Sequence, residues 1–256
     1  MLAGKTALVT GSTSGIGLGI AASLAAQGAR IVLNGFGDTS QAEAQMRALG
    51  AEFAHHGADM SQPDQIEDLM RFAESRFGGV DILVNNAGIQ HVSPVESFPV
   101  DRWNAIIAIN LTSAFHTTRL ALPGMLQRGW GRIINVASVH GLVASAHKSA
   151  YVAAKHGLVG FTKSVALETA TTPVTVNAIC PGWVLTPLVE QQVHARAQKE
   201  GVDFEAAKKL LLAEKEPSLQ FTTPDELGAL AVFFCSGASD NIRGACWNMD
   251  GGWTAQ

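Results

Sequence analysis

The chain holds a single tyrosine, Tyr151, in the stretch SVHGLVASAHKSAYVAAKHG that runs from Ser138 to Gly157. Lys155 stands four residues after it and Ser138 thirteen before it. Positions i and i+4 share one face of a helix, so the phenol and the ammonium would lie side by side. A phenol titrates at about 10 and is a poor base at neutral pH. A neighbouring ammonium stabilises the phenolate and lowers that value. With the Ser138 hydroxyl holding a substrate oxygen, Tyr151 could exchange a proton with that oxygen while carbon exchanges a hydride. Tyr-x-x-x-Lys alone is more often a half-buried tyrosine beside a snorkelling lysine. Ser138 and a glycine turn near the N-terminus give it chemical meaning here.

That turn reads TGSTSGIG and contains Gly11, Gly15 and Gly17. Glycines in this position let backbone N–H groups approach a pyrophosphate at a helix N-terminus, where the dipole favours negative charge. Lying between a first strand and a first helix, the motif predicts a dinucleotide site. The end of the second strand, which in such folds meets the adenosine ribose, reads NGFGD from Asn34 to Asp38. No carboxylate stands at the strand end itself, and Asp38 comes a few residues late. Equally, no Arg or Lys occurs in GSTSG or NGFGD to receive a 2′-phosphate, and Phe36 would crowd one. NAD is therefore expected rather than NADP.

Four polar residues surround the same stretch. Lys148 lies one turn before Tyr151, where a cation opposes the helix dipole by about 0.3–1 kcal/mol; a bound anion would remove that penalty. His140 follows Ser138 by two, Gln90 follows the apolar run ending in NNAG, and Gln192 lies in a polar segment further on. One ammonium, one imidazole and two amides would make a carboxylate cradle.

These groups need a frame. Short apolar runs alternate with helical periods throughout: strands are expected over 5–10, 30–36, 52–60, 80–88, 131–138, 174–182 and 245–252. Helices are expected over 15–28, 40–50, from Ser61 to the glycines at 78–79, 101–127 with Pro123 as the disturbing residue, 149–169, and from Pro224 to near Cys235. Such apolar strands with helices between them predict an α/β fold: one doubly wound Rossmann-type domain over 1–256, a seven-stranded parallel sheet covered on both faces. The exception is 183–223, with two polar-rich helical periods near 187–200 and 203–215. Its place after a strand end suggests a lid over the ligand crevice.

The 256 residues are 47% hydrophobic, enough for a large core, and carry a net charge of −4. That charge, without any run of Lys or Arg, argues against nucleic acid and against an anionic membrane surface. No signal-peptide pattern or membrane-length apolar run occurs. Cys180, Cys235 and Cys246 are three, without metal or redox spacing, and are expected as buried thiols. The histidines, His55–His56 included, lack ligand spacing, so no catalytic metal is expected. A cytoplasmic protein is the resulting expectation.

The motifs TGSTSGIG, NNAG (85–88), Asn110 in IAINL, Ser138, YVAAK (151–155) and CPG (180–182) resemble the short-chain dehydrogenase/reductase family over essentially the whole chain. The resemblance implies a catalytic tetrad of Asn110, Ser138, Tyr151 and Lys155, with Asn110 supporting a proton-relay water beside Lys155. For the dinucleotide it implies Gly11, Thr13, Gly15, Ile16, Gly17 and Phe36, then Asp59, Met60, Asn86, Ala87 and Gly88 on the adenosine side. Pro181, Gly182, Val184 and Thr186 would flank the nicotinamide, together with Tyr151 and Lys155. NNAGIQH, NAICPGWVLTPLVEQQ, EKEPSLQF and MDGGWT are similar to one branch of that family, the bacterial D-3-hydroxybutyrate dehydrogenases. That likeness implies (R)-3-hydroxybutyrate and acetoacetate as substrates. Their carboxylate would sit on Gln90, His140, Lys148 and Gln192, with Trp183 and Trp253 as a small apolar wall. It also implies a homotetramer, and allows a structural divalent ion at the Gln256 carboxylate. A 3-oxoacyl-thioester reductase of the same family would want basic residues near 12–14 or 34–38. A non-catalytic dinucleotide sensor would have no need of Tyr151 and Lys155.

Overall fold

The computed structural model describes residues 1–256, apart from the side chain of Leu188. Seven strands form one sheet: β1 (Thr6–Val9), β2 (Arg30–Asn34), β3 (Phe53–His56), β4 (Ile82–Asn85), β5 (Gly131–Val136), β6 (Val174–Pro181) and β7 (Cys246–Met249). Their order is β3-β2-β1-β4-β5-β6-β7, and every pairing is parallel. Strand residues alternate between two cores. Ala7, Val9, Ile31 and Leu33 face one core, shared with α1 (Gly15–Ala26), α2 (Ser40–Ala48) and α9 (Pro224–Phe234). Leu8, Val32, Leu83 and Ile133 face the other, shared with α3 (Pro63–Phe77), α5 (Ser113–Gln127) and α6 (Ser149–Glu168). Burial on both faces explains why the strands read as continuous apolar runs. The order reverses between β1 and β4, and ligands of doubly wound sheets bind at the carboxyl edge beside that point.

Most strands are shorter than the apolar runs suggest. After β4, the amides of Asn86 and Ala87 both donate to Thr10 Oγ1 at 3.0 Å. The run at 101–127 is divided, but not at Pro123, which sits inside α5. It breaks into α4 (Val100–Ile107), one wide π-helical turn (Ala108–Thr112) and α5. The turn contains Asn110, whose amide is spent on the backbone of Ile89. Such turns commonly serve functional positions. The two polar-rich periods form α7 (Pro187–Glu200) and α8 (Phe204–Ala213), which share a small core of Val189, Val193, Ala207 and Leu211. Cys180 and Cys235 are buried, but Cys246 is only half-buried because β7 is an edge strand. No helix among the described residues is long and apolar enough to cross a membrane.

Candidate active site

At the carboxyl edge lies a cavity of about 660 Å³. Gly11, Gly15 and Gly17 line one end, at the opening of α1. Gly11 and Gly15 have φ of 62° and 55°, a left-handed conformation that glycine adopts without the strain of a Cβ. A side chain at Gly17 would collide with the Gly11 carbonyl and the Asn86 amide. The free N–H groups of the first helical turn therefore stay open to the cavity. Asn86 holds the cradle from across the sheet: its Nδ2 donates to the carbonyls of Thr10 and Gly11, both at 2.9 Å.

Further along, the wall is built from Asn86, Ala87, Gly88, Ile16, Pro181, Gly182, Val184 and Thr186, all expected on the dinucleotide side. Thr13, Phe36, Asp59 and Met60 are not part of that wall. Phe36 projects into solvent just past β2, 64% exposed. Asp59 caps its own turn, its Oδ1 accepting from the Ser61 amide at 2.8 Å. Asn34, at the strand end, is buried and locked: its Nδ2 donates to the carbonyls of His56 and Ala58, and its Oδ1 accepts from the Gly11 amide at 3.2 Å.

Ser138, Tyr151 and Lys155 meet at the other end of the cavity. Lys155 and Tyr151 share a face of α6, with Lys155 Nζ 5.6 Å from the centre of the phenol ring. Lys155 is buried and donates to the Val136 carbonyl at 2.7 Å. Desolvation lowers its pKa to about 8. Tyr151 differs from the sequence-based expectation. Burial raises its pKa above the ordinary value, and the nearby Ser138 hydroxyl offsets only part of the rise. Burial therefore keeps the phenol protonated at neutral pH within this cavity. Asn110 is buried, outside the cavity wall, and both of its side-chain bonds go to the Ile89 backbone, each at 2.9 Å. It shapes the Gly88–Val92 loop that does line the cavity.

Gln90, His140, Lys148, Gln192, Trp183 and Trp253 all face the same space. Lys148 is half-buried, its Nζ 5.8 Å from the Trp183 ring centre. Desolvation lowers its pKa, and it has no acidic partner among the described residues. The preceding His147 takes a left-handed φ of 63° while its carbonyl accepts from the Ser93 amide at 2.9 Å. This strained turn delivers Lys148 to the N-terminus of α6. The ring of His140 stands edge-on between Tyr151 and Trp253, with centroids 5.9 and 5.3 Å away. Both of its nitrogens already meet serines, Nδ1 with Ser138 Oγ at 3.4 Å and Nε2 with Ser145 Oγ at 3.0 Å. Sequence reasoning missed Ser145. It also missed Ile89, His91, Val92, Val139 and Val189 of the wall, which belong to loops and the α7 face without a spacing signal.

Burial, with Lys148 and Lys215 nearby, lowers the pKa of His140 to about 4. An unfolded imidazole takes its proton near 6.5. Between those values the unfolded chain binds the proton and the folded chain does not, so stability falls as pH drops from 6.5 towards 4. Wild type is therefore expected to lose about 2 kcal/mol between pH 7 and 4.5 that His140→Gln keeps, a difference readable from urea denaturation at the two pH values.

The family model for short chain dehydrogenase matches residues 5–197. The chain belongs to the short-chain dehydrogenase family. Within that family it is 72% identical over 258 residues to "D-beta-hydroxybutyrate dehydrogenase" of Cupriavidus necator, covering 100% of both chains. The protein of that name from Rhizobium meliloti is 53% identical over 98% of this chain and 99% of its own. Among solved short-chain dehydrogenase structures, L-sorbose reductase from Gluconobacter frateurii, complexed with NADPH and L-sorbose, superposes with a TM-score of 0.95. It is 31% identical, over 100% of this chain and 98% of that one. An actinorhodin polyketide ketoreductase with NADPH gives 0.92 at 34% identity, with 100% of both chains covered. The chain is thus an oxidoreductase of this family, and its sheet and helices are those of a Rossmann-type fold.

Proposed function

We propose that the chain interconverts (R)-3-hydroxybutyrate and acetoacetate with NAD. The observation that carries this reading is Lys148, a half-buried ammonium without an acidic partner among the described residues, in one cavity with Ser138 and Tyr151. A small hydroxy acid offers a carboxylate to the first and a hydroxyl to the other two. The 72% identity to "D-beta-hydroxybutyrate dehydrogenase" supports the same substrate.

The residues fit a nicotinamide dinucleotide. The glycine cradle at α1 leaves backbone N–H groups open, and a side chain at Gly17 would collide with the Gly11 carbonyl and the Asn86 amide that shape it. Gly11, Gly15, Ile16 and Gly17 would hold the pyrophosphate. Thr13, Phe36, Asp59 and Met60 would form the outer rim at the adenosine, beside Asn86, Ala87 and Gly88. Pro181, Gly182, Val184 and Thr186 would flank the nicotinamide. The β2 end offers no cation to a 2′-phosphate, which supports NAD over NADP. When bound, oxidised nicotinamide supplies a hydride acceptor and a positive charge that favours ionised phenol.

Lys148 binds the carboxylate, and Gln90 and Gln192 complete the cradle with amide donors. His140 stays uncharged and enters the cradle through Nε2 once Ser145 gives way. Trp183 and Trp253 enclose the methyl end. Ser138 donates to the C3 oxygen. As that alcohol is oxidised, its hydroxyl proton passes to Tyr151 in its ionised form, while the C–H bonding pair leaves with the hydride; in reduction, protonated Tyr151 returns the proton to the nascent alkoxide. Lys155 keeps a positive charge beside the phenol, and Asn110 fixes the loop that carries Gln90. Residues 1–256 act as one dinucleotide-binding and catalytic domain. Residues 183–223 serve as its lid, carrying Gln192 over the substrate and excluding water. A homotetramer fits the edge strand β7, where Trp247 is 39% exposed and stacks on Phe233 at 5.4 Å.

The test pairs both enantiomers with both dinucleotides. D-3-hydroxybutyrate with NAD should give steady growth of NADH absorbance. The L enantiomer should give none, and NADP should be slower by about tenfold or more. No turnover on any small 3-hydroxy acid would remove the substrate assignment, and faster reaction with NADP would remove the cofactor assignment.

A further inference from the structure

One buried acid takes no part in the chemistry above. Glu216 lies between α8 and α9 with only 1% of its surface exposed. Its Oε1 accepts the Trp183 backbone N–H, while its Oε2 is buried without a hydrogen-bond partner among the described residues. The carboxyl fills space that two glycines leave open. A side chain at Gly182 would collide with Oε1, and one at Gly251 would collide with Ser218 Oγ and press on Glu216 Oε2 at 3.3 Å. Gly182 leads into Trp183, at the exit of β6. Gly251 leads into Trp253, in the turn after β7. Backbone bonds tie the same three segments together: the Ser218 amide donates to the Gly251 carbonyl at 3.0 Å, and the Gly182 amide to the Met249 carbonyl at 2.9 Å. Just beyond, Leu219 takes a left-handed φ of 55°, strain that the surrounding contacts hold in place.

We propose that Glu216 is a positioning residue for the small acid: its carboxyl keys the Trp183 loop to the Trp253 turn and so sets the separation of the two tryptophans that wall the cavity. This rests on the substrate reading given above. An unpartnered buried oxygen suits a neutral carboxylic acid better than a carboxylate. Desolvation raises the pKa of Glu216 to about 7, with the Trp183 N–H pulling it down and Asp250 pushing it up. The charged groups around it are few. Asp250 faces it from the β7 turn, its own oxygens taken by the Gly252 and Thr254 amides and the Thr254 hydroxyl. Lys215 is its chain neighbour, with Nζ 6.0 Å from the Trp253 ring centre. Lys148 lies near the Trp183 ring and His140 near the Trp253 ring. Ionisation of Glu216 would place a second negative charge beside Asp250 and push the two loops apart.

Two variants test this. Glu216→Gln keeps an oxygen for the Trp183 N–H and cannot ionise; Glu216→Ala removes the key. In Glu216→Ala the KM for D-3-hydroxybutyrate should rise about tenfold or more, with the KM for NAD within about twofold. Glu216→Gln should restore the KM for the acid to within about threefold at pH 6. It should also remove the rise in that KM expected of wild type from pH 6 to 8. Tryptophan fluorescence without substrate supplies a second readout. Wild type should titrate with a midpoint near 7, and Glu216→Gln should not. If the chain does not oxidise 3-hydroxybutyrate, the substrate reading fails while the fluorescence arm still decides the role of Glu216. Equal changes in both KM values for Glu216→Ala, or an unchanged fluorescence midpoint in Glu216→Gln, would overturn the proposal.

Discussion

Replacing Tyr151 by Phe is expected to lower kcat by about 10³-fold while NADH affinity stays within about twofold. The asymmetry follows from where the hydroxyl acts. The ring remains to pack against His140, whose centroid lies 5.9 Å away, so the cavity wall survives. What is lost is the group that exchanges a proton with the C3 oxygen, an interaction that matters only as the C–H bond breaks. Burial adds a second expectation. Because the phenol of Tyr151 is held above its ordinary range in the cavity as it stands, oxidation of the alcohol should speed up with rising pH through the alkaline range. Reduction of the ketone, which needs the protonated phenol, should slow over the same range. Steady-state kinetics in both directions, with NADH affinity measured by fluorescence, check the prediction. Parallel loss of kcat and of NADH binding would mean that Tyr151 serves the fold alone.

Lys148→Ala should raise the KM for D-3-hydroxybutyrate by roughly 10–100-fold, the range of a charge-assisted hydrogen bond worth about 1.5–3 kcal/mol. The KM for NAD should move by less than about twofold, since the lysine lies at the opposite end of the cavity from the glycine cradle. The variant should fold at least as well as wild type. Desolvation and the α6 N-terminus both disfavour the Lys148 charge, and the free protein offers no acid to offset them among the described residues. Initial rates against each substrate, with urea denaturation of both proteins, check the pair of statements. Equal effects on the two KM values would remove Lys148 from the carboxylate.

The frame of this site was legible because its signals are local. Apolar runs marked the seven strands, and TGSTSGIG placed the cradle between β1 and α1. The i, i+4 spacing put Tyr151 and Lys155 on one face, as the 5.6 Å separation of ammonium and ring bears out. The two polar-rich helices fell at Pro187–Glu200 and Phe204–Ala213, close to the periods read from the sequence. What escaped depends on contacts remote in the chain. The break in the long helix lies at the π turn around Asn110, because the Asn110 side chain answers to Ile89, 21 residues earlier. Pro123 proved compatible with α5. The direction of the Tyr151 shift follows from burial, which cannot be seen in a four-residue spacing. Glu216 reaches Trp183 from 33 residues away, and in EKEPSLQF it reads as one more surface acid.

Isotope transfer tests direct movement of hydride from C3 of the small acid to nicotinamide. D-3-hydroxybutyrate carrying deuterium at C3 would be oxidised with NAD in ordinary water, and the reduced dinucleotide analysed by mass spectrometry. One deuterium per molecule of NADH, with none released to solvent, is the predicted result. Deuterium appearing in the water, or unlabelled NADH formed alongside acetoacetate, would contradict it.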